Sequence, residues 1–162
     1  MSRNWKFILF GIGIIMITLV LIGCGSQNSS QASQSTPTPS AENRYISTLN
    51  NQGVSLSEAM NGLSPLLSNE DVFNAQWRIN VGYYLRKLQS VYKEAVLITP
   101  PPSMANIHYK YLEALRHYDT ASRLMSQGID NLDADFIRQA GAELNSGTQY
   151  LKEATILMNQ HK

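Results

Sequence analysis

The chain has 162 residues, of which 43% are hydrophobic and 15% are charged, with one cysteine and a formal net charge of +1. This length suits one ordinary domain. A single cysteine excludes an internal disulfide framework and a zinc-finger ligand set, and the near-neutral charge argues against nucleic-acid binding.

Residues 1–23 are predicted to be a signal peptide. Arg3 and Lys6 give the chain a basic start, and residues 7–20 form an almost continuous apolar run without charge. The alternative is an uncleaved membrane anchor. The uncharged apolar segment 7–22 is 16 residues long, however, and a membrane-spanning helix needs about 20.

The next four residues, Leu21-Ile22-Gly23-Cys24, resemble the lipobox of bacterial lipoproteins. The resemblance implies cleavage before Cys24 and acylation of its sulfur, for example with palmitate. Cys24 is therefore the expected lipid attachment residue, and the protein is expected to be lipid-anchored in the cell membrane on the extracytoplasmic side. Two acyl chains are enough for stable anchoring.

Residues 24–41 are predicted to be a flexible, disordered tether that follows the lipidated cysteine. Residues 25–41 read GSQNSSQASQSTPTPSA and contain no charge and no aromatic side chain. Such a stretch cannot bury enough apolar surface to offset its ordering entropy. Its reach is roughly 20–25 Å by the flexible-coil rule, so we expect the folded domain to float near the membrane without lying on it.

Residues 42–162 are predicted to form an all-α domain, an antiparallel up-down four-helix bundle. Apolar residues recur at alternating spacings of three and four, and no stretch shows the period of two that strands have. We expect helices at about 42–64, 69–98, 102–127 and 132–160. The third stripe of apolar spacing consists of Met104, His108, Tyr111, Leu115, Tyr118, Ser122, Met125 and Ile129.

Proline and glycine mark the expected helix ends. Pro65 is predicted to end or bend the first helix, and the prolines at 100–102 are predicted to end the second and open the third. Gly128 suits the position after the third helix. Glycine and asparagine near Gly53 and Gly147 are expected to weaken the first and fourth helices. The first stripe consists of Ile46, Leu49, Gly53, Leu56, Met60, Leu63 and Leu67.

The chain carries no recognisable catalytic or cofactor motif, so no enzyme activity, cofactor or metal is predicted. His108 is the polar residue of interest because it lies on the third apolar stripe. The simplest interpretation is a packed histidine bonded to a tyrosine, a backbone carbonyl or water. The alternative is a carrier of a small apolar ligand, haem or metal between the helices, with Met158 or His161 as a second ligand.

Two tyrosines, Tyr83 and Tyr109, point away from their apolar stripes and suggest a contact surface together with Tyr150. Tyr83, Tyr109 and Tyr150 would form an exposed aromatic patch if the bundle brought them together, because aromatic side chains are enriched at interfaces. The partner would be a protein or a cell-wall component. The alternative is that these tyrosines are scattered over the surface.

The stretch PPSMANIHYKYLEAL at 101–115 resembles a pattern in exported bacterial helical-bundle proteins that have no established activity. The resemblance supports the location and the fold. The predicted function is a membrane-anchored extracytoplasmic lipoprotein that acts as a non-enzymatic binding or interaction module.

Overall fold

The computed structural model describes residues 40–69 and 71–161, and all regular structure within them is helical. The helices are α1 (Ala41–Ser68), α2 (Ala75–Ala95), α3 (Ala105–Asn131) and α4 (Ala134–Gln160), with a short 3-10 turn at Pro102–Met104 before α3. The predicted all-α fold of four packed helices is therefore confirmed. The predicted signal peptide, Cys24 and nearly all of the tether lie outside the described residues.

Short polar side chains start α1 and α2. The Ser40 hydroxyl accepts a hydrogen bond from the backbone N–H of Asn43 at 3.1 Å, and the Asn74 side chain accepts one from the N–H of Trp77 at 3.1 Å. These bonds satisfy N–H groups that have no partner inside the helix. Because the cap of α2 is Asn74, α2 begins later than the predicted residue 69 and it also ends before the predicted residue 98.

The predicted end of the first helix at about residue 64 is wrong, since α1 continues through Pro65 to Ser68. Proline removes one backbone N–H from the helix, but a side chain of α2 forms a hydrogen bond with the last turn of α1. The Trp77 indole N–H donates to the carbonyl of Leu66 at 2.9 Å. That carbonyl lies in the last turn, where backbone acceptors lack helical partners.

The predicted end of the third helix at Gly128 is also wrong. The helix runs to Asn131, and Leu132 then adopts a left-handed conformation with φ of 54°. The N–H of Leu132 donates to the carbonyl of Gly128. Gly128 lies inside the helix, where glycine leaves room for α4, because a Cβ at this position would come within 2.6 Å of Ile137 Cγ1.

Helix α3 supplies the centre of the core, and all eight positions of its predicted stripe are buried. The stripe of α1 is shifted at three positions. Tyr45, Gln52 and Ala59 are buried, and each directly precedes a predicted core residue. The helix therefore faces the core along a slightly different line, and Gly53 is exposed.

Contacts between consecutive helices join early residues of one to late residues of the next. Lys87 of α2 pairs with Glu58 of α1, whereas Trp77 reaches the end of α1. Between α3 and α4, Lys110 pairs with Glu153, and His117, which is later in α3, pairs with Glu143, which is earlier in α4. This order favours opposite helix directions, while the up-down arrangement of the whole bundle stays a prediction.

Candidate functional site

His108 lies in a buried cluster at the end of the bundle where α1 begins. Its Nδ1 is 3.0 Å from the hydroxyl oxygen of Tyr45, and Tyr45, Met104 and Ile107 form the surrounding apolar core. Burial raises the pKa of Tyr45 to about 12 and lowers the pKa of His108, because a charged form of either group would lose hydration. The geometry agrees with the simpler sequence interpretation, a histidine bonded to a tyrosine.

The residues suggested as second ligands are placed differently. Met158 is half-buried and packs against the same apolar cluster as Tyr45, whereas the Nε2 of His161 lies 3.8 Å from a carboxylate oxygen of Glu42. Within residues 40–69 and 71–161, no group of three or more His, Cys, Asp or Glu side chains is arranged to hold a metal ion. The carrier function near His108 stays a prediction.

Two further polar groups are buried, of which the sequence predicted the core position of Tyr111 but not that of Gln52. The Gln52 side-chain oxygen and the Tyr111 hydroxyl are buried, and neither has a hydrogen-bond partner within the described part of the chain. Burial also raises the pKa of the Tyr111 hydroxyl. Gln52 lines a shallow groove with Glu94 and Ile98. A polar glutamine next to Gly53 is predicted to lie on the surface, so the sequence gave no indication that Gln52 would be buried.

The described surface carries an aromatic and charged strip along the seam of α3 and α4. We define the α3–α4 strip as Tyr109, Lys110, His117 and Tyr150. The Lys110 ammonium is 5.2 Å from the ring centroid of Tyr150 and 6.0 Å from that of Tyr109. The Tyr150 ring stacks on His117, with centroids 5.3 Å apart and an interplanar angle of 16°.

Carboxylates fix the two nitrogen-bearing members of this strip. The Lys110 ammonium pairs with Glu153 at 2.7 Å, and the Nδ1 of His117 lies 2.6 Å from a carboxylate oxygen of Glu143. The Glu153 carboxylate raises the pKa of Lys110. The strip therefore presents aromatic faces whose neighbours are held in place, while Tyr109 keeps 60% of its surface exposed.

The structure brings Tyr109 and Tyr150 together and places Tyr83 elsewhere. Tyr83 is 54% exposed, and its ring contacts Tyr84 edge-on at 5.1 Å. Two ion pairs, Arg78–Asp130 and Lys110–Glu153, join α2 to α3 and α3 to α4. With the predicted antiparallel order of these helices, Tyr150 is expected level with the end of α2, about 18 Å along the helix axis from Tyr83. The predicted patch therefore consists of two tyrosines joined by Lys110 and His117, which sequence reasoning missed because neither lies on an apolar stripe.

The described residues thus define an all-α four-helix protein with a buried tyrosine–histidine pair and a partly exposed aromatic strip. Comparison of the chain with protein-family models, with curated proteins and with solved structures found no match. In the described part of the chain, no helix is both long and apolar enough to span a membrane.

Proposed function

We propose that this protein is a lipid-anchored extracytoplasmic binding protein that acts without catalysis and contacts its partner through the α3–α4 strip. The lipobox-like sequence and the polar tether support the location. The strip supports the binding role, and it is the observation on which the proposal mainly rests.

The composition of the strip favours recognition of an external partner. Tyrosine offers a large rigid contact area and a hydroxyl that can bond at the rim, with little conformational entropy to lose on binding. Tyr150 is already stacked on His117, so a partner meets an ordered ring. Lys110 and Glu153 add one charge of each sign beside the rings. A cell-wall glycan would stack on these rings, and a protein would pack against them.

The anchoring part of the proposal predicts that Cys24→Ala abolishes lipidation. Without the sulfur nucleophile no acyl chain can be attached, so the variant is expected to lose all incorporation of labelled palmitate and to leave the membrane fraction. The measurement is metabolic labelling followed by fractionation, with the wild-type chain as control. A Cys24→Ala protein that still carries label would show that the lipobox assignment is wrong.

The binding part predicts that the double variant Tyr109→Ala and Tyr150→Ala loses partner affinity by about tenfold or more, as expected for two interface aromatics. The control is Tyr83→Ala, which removes an equally exposed tyrosine away from the strip. Purified cell-wall sacculi are sedimented with each lipidated protein to test a glycan partner. A photo-crosslinking residue at position 109 or 83 in living cells tests a protein partner.

Either partner class supports the proposal if the signal depends on position 109 and not on position 83. Equal sedimentation of all variants together with equal crosslinking at both positions would contradict it. Circular dichroism of the double variant establishes that the helices remain, since Tyr150 also packs on His117.

A further inference from the structure

The end of the bundle where the chain enters is built from three segments. The Ser103 hydroxyl donates to the carboxylate of Glu42, and the Nε2 of His161 lies 3.8 Å from the same carboxylate. The start of α1, the turn before α3 and the end of α4 therefore meet here. We call this the entry end, because the 39 residues that precede Ser40 join the bundle at this point.

The connection between α2 and α3 carries exposed apolar side chains at the entry end. Leu97 has 83% of its surface exposed and Val96 has 48%. The next residue, Ile98, is half-buried and packs against the cluster that contains Tyr45 and Met104. Leu97 therefore projects from a connection that the core holds in place.

The backbone of the same connection has few N–H groups that lack a hydrogen-bond partner within the protein. The N–H groups of Val96, Leu97 and Ile98 donate to carbonyls in the last turns of α2, at 3.1, 3.2 and 3.1 Å. The residues at 100–102 are prolines and have no N–H. The N–H of Met104 donates to the carbonyl of Pro101 at 2.9 Å, and Thr99 and Ser103 add two further N–H groups. Backbone N–H groups without a hydrogen-bond partner raise the free energy of an irregular segment in an apolar phase. Because this connection has few of them, its transfer from water to a lipid interface costs little free energy.

Formal charges near the connection balance. Lys93 and Arg44 are offset by Glu94 and Glu42. The entry end therefore has no polybasic character that would select anionic lipid headgroups, and any attraction to a lipid surface there must be mainly apolar.

We propose that the entry end docks on the surface of the lipid bilayer, with Leu97 entering the interface between headgroups and acyl chains and Val96 beside it. This inference rests on the proposed lipid anchoring, which would hold the entry end within tether reach of the membrane. An interfacial contact and a lipid anchor act together as two membrane signals. It replaces the expectation that the domain floats free of the membrane.

Phe73 provides the matched comparison at the opposite end of α1. It is also 83% exposed, and the 28 residues of α1 separate the two ends by about 42 Å. Glu70 and Asp71 precede Phe73 in the sequence, so its surroundings are acidic and disfavour a lipid surface. Equal exposure and opposite location make Phe73 the appropriate control position.

The test uses the full lipidated chain in vesicles of phosphatidylcholine, with and without phosphatidylglycerol. Leu97→Cys and Phe73→Cys each supply one thiol for an environment-sensitive fluorophore, because acylated Cys24 cannot react. We expect the probe at position 97 to show a several-fold emission increase and quenching by nitroxide-labelled lipid. The probe at position 73 should show neither change, and the result at position 97 should be insensitive to salt and to phosphatidylglycerol.

Failure of this inference and failure of anchoring give different results. If the wild-type chain itself takes up the fluorophore at Cys24 and does not float with vesicles, the proposed anchoring is wrong. If the chain floats but position 97 is quenched no more than position 73, docking is wrong and anchoring stands. Emission at position 97 that rises with protein density without lipid quenching would indicate a second copy as the occupant and would also overturn the proposal.

Discussion

Gly147→Ala is expected to lower the free energy of unfolding by about 2–3 kcal/mol, because the new methyl group has no room. A Cβ at this position would lie 2.7 Å from Tyr118 Cε1 and 3.0 Å from the backbone oxygen of Ala114. Tyr118 is almost fully buried and its hydroxyl lies 3.2 Å from Thr148 Oγ1. Neither neighbour can move aside without disturbing α3.

Gly141→Ala is the matched control on the same helix. A Cβ at position 141 meets no atom within 4 Å, so the substitution should raise stability by up to about 1 kcal/mol through helix propensity alone. Urea unfolding followed by far-UV circular dichroism gives both values. If the two variants proved equally stable, the close approach of α3 and α4 at Gly147 would be incorrect.

Gly147 also shows where sequence reasoning fell short. A glycine after Asn145 and Ser146 suggests a weak helix, and propensity alone gives no hint that its missing side chain admits Tyr118. The need for glycine comes from a partner helix that is adjacent only after folding. Gly53 carries the same local signal, yet it is exposed and has no neighbour within 4 Å of a built Cβ.

The core-facing stripe of α3 could be predicted well, although the end of the helix could not, because the sequence offers one apolar stripe. Three prolines fix its start, and its stripe contains large apolar side chains at nearly every core position. In helix α1 the predicted stripe misses the buried residue at three positions, and at the first of them it contains Ile46 instead of Tyr45. The structure selects Tyr45, whose hydroxyl reaches His108. Local apolarity cannot reveal such a contact between helices.

The candidate surface was predictable only in part for the same reason. Exposure of Tyr109 follows from its position off the α3 stripe, which the sequence shows. The stacking of Tyr150 on His117 depends on the relative register of α3 and α4. Tyr83, like Tyr109, lies off the apolar stripe of its helix. The two differ in their position along the bundle, which the sequence pattern does not show.

Acidification below about pH 6.5 is expected to destabilise the protein through His108, whose ordinary pKa is 6.5. Burial lowers its pKa in the folded state, so the unfolded chain binds the proton first. Stability then falls as the pH falls, by at most about 1.4 kcal/mol per pH unit from this one group. The loss ends once the pH is below the lowered pKa of the folded state, where both states are protonated.

Protonation of the buried His108 also affects its bond to Tyr45. A neutral imidazole can accept the hydroxyl proton of Tyr45 at Nδ1, whereas an imidazolium carries N–H groups on both nitrogens. Protonation therefore adds a buried charge and leaves the Tyr45 hydroxyl without its acceptor. His108→Gln keeps a carbonyl oxygen as acceptor and removes the titration, so its stability should depend less on pH than that of the wild type between pH 7 and the acid limit.

The measurement is the free energy of unfolding in urea of the two proteins at a series of pH values. The slope of this free energy against pH for the wild type, minus the slope for the variant, gives the contribution of His108 alone. The wild type should show the steeper decline below about pH 6.5. Equal slopes would mean that His108 takes up its proton as readily in the folded protein as in the unfolded chain. That outcome would contradict the burial of the Tyr45–His108 pair and reopen His108 as a solvent-accessible ligand position.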